Sequence, residues 1–171
     1  MTTPIRGGAN SVMGYWYVQG IIPNYIENGA HNSLEHYEWT NRENQELRVT
    51  YTYHSGSFEA KKSTLLQDGR VVNKETGAEW QVRPRVMGIG LPVWLPFLVI
   101  EAVPDSHMVV GYPSRAYLWI MSRKPSFDDE LYKQILDRTA ELGYDIEQVV
   151  RVPQRWGDNH PYTDVGQGSE L

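Results

Sequence analysis

The side chains that could support acid–base or metal chemistry are few and lie far apart along the chain. The five histidines are His31, His36, His54, His107 and His160. His36 and His54 could face each other across neighbouring strands, but no carboxylate stands beside them at ligand spacing, and a metal site needs several convergent ligands. Cysteine is absent, which excludes thiolate catalysis, disulfides and cysteine-based metal sites. The sequence therefore predicts no metal and no cofactor.

Glu101 is the carboxylate whose surroundings are most unusual. It stands in "LVIEAV", an otherwise apolar segment with the character of a strand, and burying an unpaired acid there would cost free energy. Two interpretations remain open. Either Glu101 anchors a polar group inside a ligand pocket, or it points outward or pairs with a nearby arginine. Glu101 and His107 are also the one His–carboxylate pair that we would consider for an enzyme.

Signatures of the common enzyme classes are missing. The chain has no G-x-S-x-G elbow, no P-loop, no G-x-G-x-x-G opening a helix and no H-E-x-x-H. "GIG" at Gly88–Gly90 leads into a proline-broken apolar stretch and is typical of a turn at a rim. The net charge is −5 and no basic run is present, so a nucleic-acid backbone is an unsuitable partner. The sequence favours a binding protein over an enzyme.

A surplus of aromatic residues is the strongest indication of a binding site. Aromatic residues make up 12% of the chain. Those in predicted strands, mostly at alternating positions, are Tyr37, Trp39, Tyr51, Tyr53, Trp80, Trp94, Tyr117 and Trp119. In a β-sandwich these rings would simply be core. In a closed eight-stranded barrel there is room for one small ligand, and the rings would line a cavity with their O–H and N–H groups available to its polar end.

Most of the chain alternates with period two, the pattern of half-buried antiparallel strands. In "ELRVTYTYHSG", Leu47, Val49 and Tyr51 share one side while Arg48 and Thr50 share the other. Eight such segments joined by short turns predict an all-β sandwich or an up-and-down barrel.

One later segment has helical spacing instead. In "PSFDDELYKQILDRTAELGYD", Ser126 is the predicted N-cap and Gly143 the predicted stop. The apolar stripe between them predicts a helix on an outer face of the sheet and consists of Leu131, Tyr132, Ile135, Leu136 and Leu142. The following "IEQVVRV" predicts a short final strand.

The length of 171 residues fits a single domain. We expect a flexible N-terminal segment at residues 1–12, the folded domain at residues 13–154, and a loosely ordered tail at residues 155–171. The N-terminus lacks the apolar core of a secretory signal, although a trimmed signal would leave the same sequence. No continuous apolar run is long enough for a membrane-spanning helix.

Two motifs resemble those of the lipocalin family. "GYWYVQG" resembles the G-x-W motif that opens the first lipocalin strand. "YPSRAYLWIMSRKP" resembles the signatures in which a tyrosine-bearing turn leads into a late strand that ends on arginine. The resemblance covers Met13 to Gln154 and is greatest to the group of bacterial lipocalins, apolipoprotein D and plant temperature-induced lipocalins. One departure is Ala116, which replaces an acid and puts any shared receptor contact at this turn in doubt.

The resemblance implies an architecture. It is an all-β, eight-stranded up-and-down antiparallel barrel, with one C-terminal α-helix packed outside and a short final strand. It also implies that Trp16 lies at the closed end of the barrel with Arg123 packed across its ring. Gly14, Trp16, Tyr117 and Arg123 are then structural signature residues, and none of them is catalytic.

The resemblance also implies a function, which is to bind and carry a fatty acid, a lysophospholipid or a similar membrane lipid in the barrel. The residues expected to contact the ligand are Tyr37, Trp39, Tyr51, Tyr53, Trp80, Leu98, Glu101, Tyr117 and Trp119. The residues expected at the mouth are Tyr25, Ile26 and Trp94. Three alternatives remain: a carotenoid- or tetrapyrrole-binding barrel, a lipid isomerase or hydrolase using Glu101 and His107, and an interaction module filled by its own side chains.

Partners and location are less constrained. We expect a monomer or homodimer, and Trp94 and Leu95 could contact a membrane surface peripherally. In a bacterium, the resemblance implies the periplasmic face of the outer membrane, with the lipoprotein signal absent from this chain. In any other source it implies a soluble protein.

Overall fold

Strands dominate the chain, as its period-two pattern predicts. The structure, a computed structural model, describes residues 2–157. Within them the strands are β1 (Gly14–Ile22), β2 (Ala30–Asn41), β3 (Glu46–Ser55), β4 (Lys62–Asn73), β5 (Glu79–Val86), β6 (Ile89–Gly90), β7 (Leu95–Val103), β8 (His107–Gly111), β9 (Leu118–Ser122) and β10 (Val150–Arg151). The helix α1 (Asp129–Glu141) follows β9, and 3₁₀ turns lie at Ala9–Val12 and Ile146–Gln148.

Eight of these strands form a closed barrel. Strands β1 to β5, then β7 to β9, pair antiparallel in chain order, and β1 also pairs with β9 from Tyr17 opposite Ser122 to Ile22 opposite Leu118. The short strands β6 and β10 are additions to β5 and β1. The expected eight-stranded up-and-down barrel is confirmed, because the pairing of the first and last strands closes the sheet on itself.

Alternation along each strand supplies the core. In β3, Leu47, Val49 and Tyr51 are buried, and Arg48 and Thr50 between them are half-buried. The other strands contribute residues to the same interior cluster, among them Trp16, Val18, Tyr37, Val71, Trp80, Val82, Phe97, Val99, Met108, Val110 and Met121. The apolar half of the period-two pattern therefore fills the barrel.

One end of the barrel is sealed by Trp16 and Arg123. Trp16 is fully buried and donates from Nε1 to the Val12 carbonyl at 2.9 Å. The Arg123 guanidinium carbon lies 3.7 Å from the centre of the Trp16 indole, a cation–π contact that contributes about 0.5–2 kcal/mol depending on desolvation. Arg123 also donates to the Tyr15 and Met13 carbonyls, each at 2.9 Å. These bonds fasten the end of β9 to the start of β1.

Gly14 is required at this junction. Its φ is +98°, and a Cβ there would lie 3.2 Å from an Arg123 guanidinium nitrogen. A side chain would therefore be strained by the backbone and crowded by the arginine, which gives the Gly of "GYW" a packing reason.

The N-terminal segment takes part in this seal. Ile5, Ala9 and Val12 belong to the interior cluster, and the Ile5 amide donates to the Thr76 carbonyl at 2.9 Å. The expectation of a flexible segment at residues 1–12 did not foresee this packing, because the apolar residues here are spaced irregularly and carry no strand or helix period.

Helix α1 packs on the outside of the barrel, as predicted, but it begins later than expected. Asp128, not Ser126, is the N-cap, and its Oδ1 accepts from the Leu131 amide at 2.7 Å. Tyr132 and Ile135 are buried against the outer face of the sheet. Tyr132 fits there because β1 has Gly20 beneath it, where an added Cβ would meet the phenol oxygen at 2.3 Å.

The segment after the helix is only partly a strand. The first three residues of the predicted final strand form the 3₁₀ turn Ile146–Gln148, and the strand that follows, β10, is two residues long and pairs with β1. Trp156 packs edge-on against Tyr17 at 5.5 Å between ring centres, so the start of the expected loose tail is attached to the barrel. Residues 158–171 of that tail lie outside the described residues.

Candidate ligand-binding site

The end of the barrel opposite Trp16, here called the mouth, is formed by the connections at residues 23–29, 56–61, 87–94 and 112–117. Aromatic rings line the interior below it. Tyr51 stacks on Tyr53 at 5.1 Å between ring centres, and Tyr112 contacts Tyr117 at 5.2 Å and Trp119 at 5.9 Å. Four of the predicted ligand-contacting residues, Tyr51, Tyr53, Tyr117 and Trp119, are thus brought together at this end.

Glu27 turns into this interior from the connection at residues 23–29. Its backbone amide donates to Asn24 Oδ1 at 2.9 Å, a local bond that shapes the turn. The residue is 5% exposed, and its Oε1 accepts from Trp119 Nε1 at 2.8 Å. Its other oxygen, Oε2, is buried and has no hydrogen-bond partner among the described residues. Burial raises the pKa of Glu27 to about 7, against the opposing effect of the Trp119 hydrogen bond.

Glu35 is a second carboxyl inside the barrel. It lies on β2, is 7% exposed, and accepts a hydrogen bond from the Tyr37 hydroxyl. Burial raises the pKa of Glu35 to about 7; the bond from Tyr37 opposes the shift and the charge of Glu27 adds to it. Glu27 and Glu35, here called the inner acid pair, therefore lie close enough to influence each other.

The surroundings of the inner acid pair are polar but not basic. Ser33 and Tyr51 share a hydrogen bond of 3.0 Å, and burial raises the pKa of the Tyr51 hydroxyl. Neither carboxyl takes part in any ion pair found among residues 2–157. The interior near the mouth thus combines aromatic faces, hydroxyls and two carboxyls whose pKa values lie close to 7.

Two of the predicted ligand-contacting tryptophans lie away from the mouth. Trp80 fills the lower interior, stacked on Phe97 at 5.2 Å and donating to the Gly77 carbonyl at 2.6 Å. Tyr37 packs edge-on against Trp80 at 5.7 Å. Trp39 lies at the sealed end, where Nε1 donates to Asn10 at 2.9 Å and the ring borders an outside pocket of about 250 Å³. That pocket is remote from the inner acid pair.

Leu98 and Glu101 do not face the interior as predicted. Leu98 alternates with the inward Phe97 and Val99, so it points outward. A bulge after Val99 shifts the register and brings Glu101 to the outer face as well. The expectation that Leu98 and Glu101 line a pocket is therefore not met by their placement.

Glu101 instead joins β7 to its neighbours on the outer face. It accepts from His107 Nε2 at 2.7 Å and from Arg138 Nε at 2.9 Å. The hydrogen bond from His107, followed by the contribution of Arg138, lowers the pKa of Glu101 to about 2 despite its partial burial. Of the two interpretations left open by the sequence, the structure shows the outward, arginine-paired one.

Ser106, His107 and Glu101 form a chain that resembles a hydrolase triad. Ser106 Oγ lies 2.9 Å from His107 Nδ1. The chain lies on the outer face, however, with Glu101 held by Arg138 of α1 and His107 beside the Phe127 ring. The His–carboxylate pair considered for a lipid-processing enzyme is therefore outside the barrel interior.

The three residues expected at the mouth differ in what they contact. Tyr25 is 100% exposed and Ile26 49% exposed, both on the connection that carries Glu27. Trp94 lies against the outside of the barrel, with the guanidinium carbons of Arg70 and Arg83 at 4.0 and 4.8 Å from its ring centre. Trp94 therefore packs against cations and does not face the interior.

Four of the five histidines lie within residues 2–157, and of these only His31 and His54 stand opposite each other on neighbouring strands. His36 lies opposite Thr50 and His54 opposite His31, so the proposed facing of His36 and His54 is wrong. His36 stacks on Tyr15 at 4.1 Å between ring centres. In the part of the chain that the structure describes, no three His, Cys, Asp or Glu side chains are placed to hold a metal ion.

The inner acid pair is what sequence reasoning missed. Glu35 stands two residues before Tyr37, so the same alternation that turned Tyr37 inward also applied to Glu35. That signal was present in the sequence. Glu27 lies in an irregular connection, where no periodicity indicates the direction of a side chain.

Comparison with known proteins places this arrangement in a family. A family model described as a lipocalin-like domain matches residues 9–154. The chain belongs to the lipocalin family. Temperature-induced lipocalin-1 of Arabidopsis thaliana is 42% identical over 65 residues, which are 37% of this lipocalin and 35% of the relative. The outer membrane lipoprotein Blc of Escherichia coli K12 is 38% identical over 48 residues, 28% of this lipocalin and 27% of the relative.

Solved structures share the barrel of this lipocalin. Insecticyanin from the tobacco hornworm Manduca sexta superposes with a TM-score of 0.69 at 14% identity, covering 95% of this chain and 88% of that one. Lobster apocrustacyanin A1 gives 0.66 at 13% identity, covering 86% and 79%. Identity this low shows the fold alone, whereas the curated relatives match over about a third of their length or less.

As for membranes, α1 is too short and too polar to cross a bilayer, and no other helix within residues 2–157 could do so.

Proposed function

We propose that this lipocalin binds and carries a small amphipathic lipid, with its apolar part inside the barrel below the mouth. The observation behind the proposal is the aromatic lining near Trp119, which offers ring faces together with N–H and O–H groups on one inner wall. Each buried CH₂ of a ligand would contribute about 0.8 kcal/mol. The ligands proposed for this site are fatty acids, lysophospholipids and similar single-chain lipids.

The depth of the site is limited by the side chains beneath it. Trp80, Phe97 and Tyr37 pack against one another in the lower interior, so a ligand would occupy the upper part of the barrel. Because Glu27 projects into that part, binding requires the connection at residues 23–29 to yield. Its exposed neighbours Tyr25 and Ile26 show that little packing holds the tip of this connection in place.

Peripheral membrane contact through Trp94 is not included in this proposal. The indole of Trp94 is already covered by Arg70 and Arg83, which leaves less of its surface for insertion into lipid. The enzymatic alternative lacks support as well, since Glu101 and His107 lie on the outer face.

A fluorescence titration tests the proposal. Tryptophan emission is followed while a lysophospholipid or fatty acid is added below its micelle concentration, in the wild type, Trp119→Phe and Trp94→Phe. We expect saturable quenching that Trp119→Phe largely removes and Trp94→Phe retains, because only Trp119 lies near the proposed ligand. Absence of saturable quenching, together with no bound lipid in native mass spectrometry, would overturn the proposal. Visible absorbance of the purified protein would instead indicate a pigment.

A further inference from the structure

The inner acid pair indicates which polar group a ligand brings into the barrel. We infer that Glu27 and Glu35 bind an amine or ammonium group, so that the preferred ligands are hydrophobic amines and not fatty acids. This inference rests on the proposed function, because it assumes that the upper interior receives a hydrophobic ligand.

The unsatisfied oxygen of Glu27 is the first reason. Oε2 is buried and lacks a hydrogen-bond partner among the described residues, while Oε1 is already bound by Trp119. A buried acceptor left without a donor destabilises the protein, because the hydration it has lost is not replaced. A bound molecule can supply the missing donor, and an ammonium supplies up to three.

The charges around the pair are the second reason. The inner acid pair and the groups around it come from two connections and three strands: Glu27, Ser33, Glu35, Tyr37, Tyr51, Tyr53, Tyr112, Tyr117 and Trp119. Their polar groups are acids, hydroxyls and one indole N–H. Among the described cations, Arg123 acts electrostatically on Tyr37, but its guanidinium is already engaged by Trp16 and by the Tyr15 carbonyl.

A carboxylate ligand would therefore be the third acid in a site where residues 2–157 provide no free cation. Burying an anion beside two carboxyls is unfavourable, since like charges and desolvation both oppose its ionised form. An ammonium has the opposite effect. It would form an ion pair with one carboxylate and be attracted by the charge of the other. It would also lie against the faces of Trp119 and the tyrosines, which attract cations.

The inference gives a pH dependence of definite sign. With the pKa of both carboxyls raised to about 7 by burial, the pair is largely protonated at pH 5.5 and largely ionised at pH 8. An alkyl ammonium, whose pKa resembles that of lysine at about 10.4, stays charged across this range. Its affinity should therefore increase with pH, whereas that of an alkyl carboxylate should decrease.

Three probes of equal chain length separate the possibilities. Dodecylamine, dodecanol and dodecanoate are titrated by calorimetry into the full chain at pH 5.5 and pH 8. We expect dodecylamine to bind at least about ten-fold more tightly than dodecanol at pH 8, with the preference falling to within about three-fold at pH 5.5. Glu27→Gln and Glu35→Gln should each reduce the preference for dodecylamine over dodecanol at pH 8.

Glu101→Gln is the matched control, because it removes a carboxyl from the outer face and should leave the preference unchanged. If Glu35→Gln unfolds the chain, Glu27→Gln still tests the inference, since its orphan oxygen makes no bond that folding needs. Dodecanol binding without an amine preference would overturn the inference and leave the proposed function standing. Tighter binding of dodecanoate would also overturn it. Binding of none of the three would remove both.

Discussion

Two sets of carboxyls in this lipocalin differ in whether cations pair with them and in the direction in which their pKa is shifted. On the outer face, Glu101 is held by His107 and Arg138 and its pKa lies at about 2. Inside the barrel, the inner acid pair has no cationic partner in residues 2–157, and burial raises both pKa values to about 7. The carboxyl on the outer face is thus ionised at neutral pH, whereas the pKa of each carboxyl inside the barrel lies close to 7.

Asp68 extends the outer set. Partial burial would raise its pKa, but hydrogen bonds from Arg83 and Arg85 on β5 outweigh burial and lower it. Arg48 on β3 adds a third contact at 3.3 Å. Like Glu101, Asp68 therefore joins neighbouring elements, and ionisation of the outer carboxyls stabilises the fold.

Stability and ligand binding depend on different carboxyls in this barrel. Ionising the inner acid pair stabilises nothing within the described chain, because no cation compensates for the lost hydration. A group that destabilises the empty protein when charged is suited to pair with something that arrives charged. We therefore expect the outer face and the barrel interior to respond in opposite ways to pH and to substitutions that neutralise a carboxyl.

The largest predicted effect is a loss of stability with rising pH from the inner acid pair. Each carboxyl has a pKa of 4.5 when unfolded and of about 7 when folded. Between these two pH values the folded state therefore binds more protons than the unfolded state. Stability from the pair is complete below about pH 4.5 and is lost as pH rises through about 7, by up to about 3 kcal/mol for each carboxyl.

Urea unfolding of the wild type and of the double variant Glu27→Gln, Glu35→Gln checks this. Relative to the double variant, the wild type should have its highest unfolding free energy at pH 5 and its lowest at pH 8. A difference that is constant with pH would mean that the inner carboxyls are not desolvated. Glu101→Gln, compared in the same way, should not show this trend.

The next effect concerns the outer face and has the opposite sign. Glu101→Gln removes a charged partner from both His107 and Arg138 and should lower the unfolding free energy by about 2 kcal/mol at neutral pH. A double-mutant cycle with Arg138→Ala measures how much of this loss belongs to the pair. A neutral or stabilising Glu101→Gln would contradict the contrast between the two regions.

Much of this contrast was readable in the sequence, but not all of it. Period two in "ELRVTYTYHSG" and the motifs around Trp16 and Arg123 predicted the barrel and its signature contact, and the position of Glu35 relative to Tyr37 implied an inward acid. The bulge after Val99, which turns Glu101 outward, leaves no mark in composition or spacing. The inward direction of Glu27 depends on a turn shaped by Asn24, and the periodicity of a sequence does not indicate the geometry of such a turn.

Depth along the barrel was also partly hidden. Trp39 has the inward direction that alternation predicts, yet it lies near the end of β2, close to the turn that leads into β3. Alternation determines the face of a strand but not the height of a residue in the barrel. The end of the barrel at which each strand begins can be assigned only after Trp16 has been placed at the sealed end.

The smallest predicted effect isolates burial as the deciding factor. Asp129 and Arg151 form an ion pair at 3.3 Å that joins α1 to β10, just as Glu101 and Arg138 join α1 to β7. The Asp129 side chain is 91% exposed, however, compared with 27% for Glu101. Asp129→Asn should change the unfolding free energy by no more than about 0.5 kcal/mol, because water screens exposed pairs. If it costs as much as Glu101→Gln in the same urea measurement, then pairing alone, and not the degree of burial, governs the carboxyls of the outer face.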